Sequence, residues 1–160
     1  MKVLFLDIDG VLNSHTKLAN GYCGIEPKQV EMLNCLLDDI PDLKLVISSA
    51  WRYLVLNDSM SVVGFENLLL THGIKCLDRV IDVLPEDYPL SEYPNGGREQ
   101  LILEYIEVCT DASNKNCPFY ATKWAVVDDL PLGIANFVRT NGEMGMSLIN
   151  LCKLSRILKS

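Results

Sequence analysis

The chain has 160 residues, of which 49% are apolar and 22% charged, and a formal net charge of −7. That length suits one well-packed domain spanning residues 1–160, and the acidic balance disfavours a broad nucleic-acid footprint, which needs clustered Lys and Arg. The longest apolar runs, such as Leu68–Leu70, are far too short to cross a bilayer, and Met1-Lys2 enters an apolar run directly, leaving no space for a secretory leader, so a cytoplasmic address is expected.

Val3–Leu6 reads as a buried strand that stops at Asp7-Ile8-Asp9-Gly10, and Gly10 permits a sharp exit turn. Residues 14–25 lack a period and read as loop. Pro27 suits a first helical turn, with Val30, Leu33, Leu37 and Ile40 following at helical spacing until Pro41-Asp42. Leu43–Ile47 is a second strand, ending in Ser48-Ser49-Ala50-Trp51-Arg52. A helix over 62–72 closes at Gly73, and Arg79–Leu84 is a third strand. Prolines and glycines make 85–97 a loop, and Asn95 is the expected cap of a helix starting near Gly97 or Arg98. That helix buries Leu101, Ile102, Tyr105 and Ile106. A polar connection over 110–122 leads to a fourth strand, Lys123–Val127, which ends in Asp128-Asp129. A short helix is expected over 131–135, a fifth strand over 136–139, and a last helix over 147–158 capped by Ser147.

Strands alternating with helices predict an α/β fold: a doubly wound, Rossmann-like parallel sheet of about five strands, with helices on both faces and no large cap domain. Cys23, Cys35, Cys76, Cys109, Cys117 and Cys152 include no C-x-x-C pair, and His15 and His72 lie at no metal-ligand spacing to them. Reduced thiols are expected, and zinc is not.

In an open parallel sheet, ligands bind beyond the carboxyl ends of the strands, where the winding reverses. Three strand ends here carry Asp7/Asp9, Ser48/Ser49 and Asp128/Asp129, and Arg98 opens the helix before the last of them. Carboxylates gathered in one pocket repel each other unless a cation lies between them. Mg²⁺ suits an all-oxygen site shared with a phosphate. A carboxylate can attack phosphorus to give an aspartyl-phosphate, and a second acid can move the protons. A hydroxyl and a cation stabilise charge on the transferring oxygens.

Asp7-x-Asp9-Gly10-Val11-Leu12-Asn13, Ser48-Ser49, Arg98 and Asp128-Asp129 resemble the four ordered motifs of the haloacid dehalogenase superfamily. The similarity is greatest to its small capless members, which include domains attached to nucleic-acid repair proteins. The resemblance implies a Mg²⁺-dependent phosphatase with Asp7 as nucleophile and Asp9 as general acid and base. It implies Ser48 on the phosphoryl group, Arg98 in a role usually held by lysine, and Mg²⁺ on Asp7, the main-chain carbonyl of Asp9, and Asp128, assisted by Asp129. The second acid, Asp9, favours phosphoryl transfer over carbon–halogen cleavage. At the third motif Lys123 competes with Arg98, and at the second either serine could face the phosphate.

Trp51 is expected to pack, Arg52 to lie at the surface and His15 to be a solvated loop residue. An open site admits a phosphorylated small molecule, a phosphoprotein or a nucleic-acid end. Two other classes compete: a receiver-like module that accepts phosphate without turnover, and a catalytically silent binding domain. Asp82 lies inside the third strand rather than beyond it, which is the wrong place for a receiver's acceptor.

Overall fold

Lys2–Leu6 forms β1, and its last four side chains are wholly buried because the strand lies in the middle of a sheet covered on both faces. The computed structural model describes residues 1–15, 24–114, 117 and 119–160. Residues 16–23 of the expected 14–25 loop, Cys23 among them, and residues 115, 116 and 118 of the 110–122 connection lie outside that set. After β1 come α1 (Pro27–Asp39), β2 (Leu43–Ile47), α2 (Tyr53–Leu56), α3 (Val62–Thr71) and β3 (Val80–Val83). They are followed by α4 (Arg98–Thr110), β4 (Lys123–Asp128), β5 (Phe137–Arg139) and α5 (Leu148–Lys159). The other described Cys residues, Cys35, Cys76, Cys109, Cys117 and Cys152, are free thiols.

The five strands are all parallel, in the order β3-β2-β1-β4-β5. Side chains alternate across β1: Leu4 and Leu6 join the core under α1, α3 and α5, while Val3 and Phe5 join Leu101, Ile102 and Ile106 of α4. Helices therefore cover both faces, and no cap domain occurs among the described residues. A receiver has the order 2-1-3-4-5. The order here reverses between β1 and β4 instead, which sets this sheet apart from that class.

Register decides what meets at the sheet's edge. Leu6 is level with Ile47 on one side and Val127 on the other, so Asp7, Ser48 and Asp128 emerge side by side. Lys123 pairs with Lys2 at the opposite end of the strands. A six-residue strand rises about 3.3 Å per residue, so Lys123 is the length of β4 away from the acids.

Helix ends follow local chemistry, with exceptions. Ser61 and Ser147 cap α3 and α5, the latter in a reciprocal box with Asn150. Asn95 does not cap α4. Asn95, Gly96 and Gly97 all have positive φ, and Gly97 is the residue preceding the helix. A Cβ on Gly97 would lie 2.7 Å from the Tyr88 ring, so the chain enters α4 through a left-handed turn that excludes a side chain. The helix expected over 131–135 is absent, and residues 131–134 are irregular. Gly133 N–H donates to Glu99 Oε2 at 2.6 Å, and Leu130 N–H to Asp128 Oδ1 at 2.9 Å, so the Glu99 and Asp128 side chains hold this segment in its irregular course. Conversely, the segment after Ser49 coils into a 3₁₀ turn and α2, elements too short to show a period.

Candidate active site

Asp7 leaves β1 at the point where strand order reverses, 3% exposed, its N–H bonded to the carbonyl of Val127. Asp128 ends the neighbouring strand and is fully buried, with Asp129 beside it at the rim. One carboxylate oxygen from each of Asp7, Asp128 and Asp129 lies within 4.8 Å of the others. Arg98, at the first turn of α4, donates from Nη1 to Asp128 Oδ2 at 2.9 Å and stands 3.4 Å from Asp7 Oδ2. The fold thus brings Arg98 to the acids and leaves Lys123 at the other end of the sheet.

Gly10 makes the turn after Asp9 with φ of +81°. Asn13 locks that turn: its Oδ1 accepts from Gly10 N–H at 2.8 Å, and its Nδ2 donates to Asp9 Oδ1 at 2.9 Å. Thr140 closes it from the β5 side by donating to the Gly10 carbonyl at 2.7 Å. Asp9 is therefore held by its own loop, and its carboxylate is not among the three that lie within 4.8 Å of one another.

Two residues, Arg52 and His15, depart from expectation, and a third, Trp51, does more than expected. Trp51 packs, but its indole N–H also donates to both Asp9 oxygens, at 3.1 and 3.2 Å. Arg52 is not at the surface: it is 1% exposed, and its guanidinium donates to the carbonyls of Ser48, Ser49 and Pro85 and to Asp87 Oδ1. A buried cation needs such complete pairing, and here it ties the turn after β2 to the loop before α4. His15 is not simply solvated, because its Nε2 lies 2.5 Å from Asp129 Oδ2. Glycines make the space for this pair: a Cβ on Gly10 would come within 2.7 Å of the Asp129 carboxyl, and one on Gly142 within 2.5 Å of the His15 ring. Only the last of the three carried a readable sign, a histidine six residues beyond Asp9. Its partner, 114 positions away, is set by the sheet.

The two serines differ. Ser49 lines a cavity of about 230 Å³ with Asp7, Asp9, Arg98, His15 and Asp129, and its hydroxyl accepts the Trp51 N–H at 3.3 Å. The Ser48 hydroxyl is buried with no hydrogen-bond partner among the described residues. A buried hydroxyl left unpaired is costly, which suits a site completed by an acceptor.

The Asp7 and Asp128 carboxyls of the trio are electrostatically stressed. Burial, and next the charge of Asp128, push the Asp7 carboxyl up to about 8 despite Arg98. Burial likewise raises Asp128, against the pull of Arg98. The hydrogen bond to Asp129 raises His15 above its ordinary 6.5. A hard divalent cation with oxygen ligands fits this donor set of buried carboxylates.

A pH dependence follows. Between 3.8, the ordinary value, and about 8, folded Asp7 retains a proton that the unfolded chain has released. Stability of the metal-free protein must then fall as pH rises through that window. His15 acts in the same sense, since its stabilising charge is lost as pH climbs past its raised folded value. Thermal melts in EDTA should show Tm dropping from pH 5 to pH 8. Millimolar Mg²⁺ should remove most of that drop by stabilising the ionised trio. Equal Tm values across this range in EDTA would mean the acids are not electrostatically stressed.

A family model described as "HAD domain in Swiss Army Knife RNA repair proteins" matches residues 3–150. No curated protein and no solved structure matches the chain.

Proposed function

Because the chain belongs to the haloacid dehalogenase (HAD) superfamily, within the family of HAD domains in Swiss Army Knife RNA repair proteins, we propose that it is a Mg²⁺-dependent phosphatase that hydrolyses phosphate monoesters through an aspartyl-phosphate. The observation that carries this reading is the buried Asp7 carboxylate at the switch point, within reach of Asp128, Asp129 and Arg98, with Asp9 on the adjoining turn. Bound to Asp7, Asp128, Asp129 and the main chain of Asp9, Mg²⁺ would neutralise the acids and polarise the phosphoryl group.

In this scheme an oxygen of Asp7 attacks phosphorus, and the bond to the ester oxygen breaks. Asp9 gives its proton to that departing oxygen. Water then attacks the phosphorus of the aspartyl-phosphate while Asp9 takes up its proton, and the Asp7 carboxylate is restored as phosphate leaves. Arg98 supplies fixed positive charge to the phosphoryl oxygens. The buried Ser48 hydroxyl has no hydrogen-bond partner among the described residues, and a phosphoryl oxygen would satisfy it, whereas Ser49 already anchors the next turn. The description of the matching family favours a nucleic-acid end as substrate over a phosphoprotein.

Hydrolysis of a generic aryl phosphate tests the reaction class. Activity should appear with Mg²⁺, vanish in EDTA and return when Mg²⁺ is restored. Turnover that persists in EDTA would remove the metal-dependent scheme.

A further inference from the structure

Ala50, which lines the cavity at Asp7, also lines a second hollow of about 460 Å³, together with Trp51, Tyr53, Leu54, Asn57 and Ser59. Its walls are two aromatic rings and an aliphatic side chain, and its polar members are Asn57 and Ser59. Neither of those two side chains is hydrogen-bonded among the described residues. Among the described residues, no lysine or arginine lines it.

Asp9 fixes which way the substrate lies. The proton donor must stand beside the departing ester oxygen, and the Asp9 carboxylate is held by the indole of Trp51, which is also a wall of this hollow. The leaving group therefore departs toward Trp51 rather than toward the polar cleft beyond His15. A ring-faced pocket with free amide and hydroxyl groups matches a flat heterocycle with hydrogen-bonding edges. Such stacking accepts any base. A phosphotyrosine ring has no polar edge atoms for Asn57 and Ser59 to meet. Without cations along the hollow there is nothing to track a phosphate backbone.

Resting on the phosphatase reading, we infer that this hollow receives the base of a single terminal nucleoside whose phosphate lies at Asp7. The strand beyond that nucleoside is not gripped. Trp51 then has two functions, orienting Asp9 with its N–H and stacking on the base with its face.

The chain has two tryptophans, Trp51 and Trp124, so a Trp124→Phe background isolates Trp51 fluorescence. In that background, with Asp7→Asn to prevent turnover, adenosine and uridine monophosphates should quench saturably, and glycerol phosphate should not. Leu54→Asp should weaken the quenching about tenfold, the scale of one lost stacking wall. In the active protein, kcat/KM for nucleoside monophosphates should exceed that for glycerol phosphate by roughly tenfold or more. Leu54→Asp should narrow that ratio, and added nucleotides beyond the first should not raise it. Absence of saturable quenching overturns the inference, as does preferential hydrolysis of phosphotyrosine. Quenching by nucleotides in a protein that hydrolyses no monoester would support the nucleoside site and defeat the phosphatase reading.

Discussion

Replacing Asp7 by Asn should lower aryl phosphate hydrolysis by at least about a thousandfold, as expected when the nucleophile itself is lost, while making the metal-free fold more stable at pH 8. The two effects have one cause. Asp7 is 3% exposed and stands among like charges, which is why its carboxyl is pushed up to about 8. Asn is nearly isosteric, keeps the contact surface and removes the charge that burial penalises. The backbone bond from Asp7 N–H to Val127 does not depend on the side chain and survives. In EDTA the variant should therefore melt above the wild type at pH 8 and close to it at pH 5. Added Mg²⁺ should raise Tm less than it does in the wild type, because one of three carboxylates is gone. Catalytic loss accompanied by a lowered Tm at pH 8 would mean that Asp7 is held as a structural ion-pair partner of Arg98. Undiminished hydrolysis would remove it as the nucleophile.

The contrast between what was legible in sequence and what was not has a physical basis. β1, β2 and β4 announce themselves because a strand buried on both faces must be apolar throughout, and the acids that end two of them mark the sheet's edge. Asp7, Ser48 and Asp128 could be grouped from topology alone, and register brings them level. Lys123 opens β4 and so lies a strand length from the acids, whereas the place of Arg98 depends on how α4 docks on the sheet, which no local pattern encodes. Arg52 and His15 were misjudged, and the bond from Trp51 to Asp9 was missed, for a different reason. Each is held by long-range partners (Asp9 for Trp51, Pro85 and Asp87 for Arg52, Asp129 for His15), and no period or cap encodes them. α4 starts at Arg98 as expected, but its cap was misassigned to Asn95 because Asn is a good cap, and the close approach of Tyr88 that demands a glycine at position 97 is a tertiary contact.

Replacing Asp9 by Asn should separate the two halves of the reaction. The Asn13 amide and the Trp51 indole both donate to Asp9, and an asparagine can still accept at one oxygen, so the loop stays closed. What it cannot do is give up a proton or take one. An aryl leaving group departs as a stable phenolate and needs little help, so attack by Asp7 should continue. Water attack on the aspartyl-phosphate does need a base and should slow by about 10²–10⁴-fold. The expected result is a burst of phenolate equal to the enzyme present, followed by slow turnover. Acid-quenched protein should carry one phosphoryl group on the peptide containing Asp7. An alkyl phosphate, whose leaving oxygen must be protonated, should show no burst, because its first step fails as well. This difference between aryl and alkyl substrates distinguishes loss of proton transfer from a general distortion of the loop, which would slow both alike. A normal steady-state rate on alkyl phosphates would take the proton-transfer role away from Asp9. His15, which lines the same cavity and is already paired with Asp129, is then the group to test.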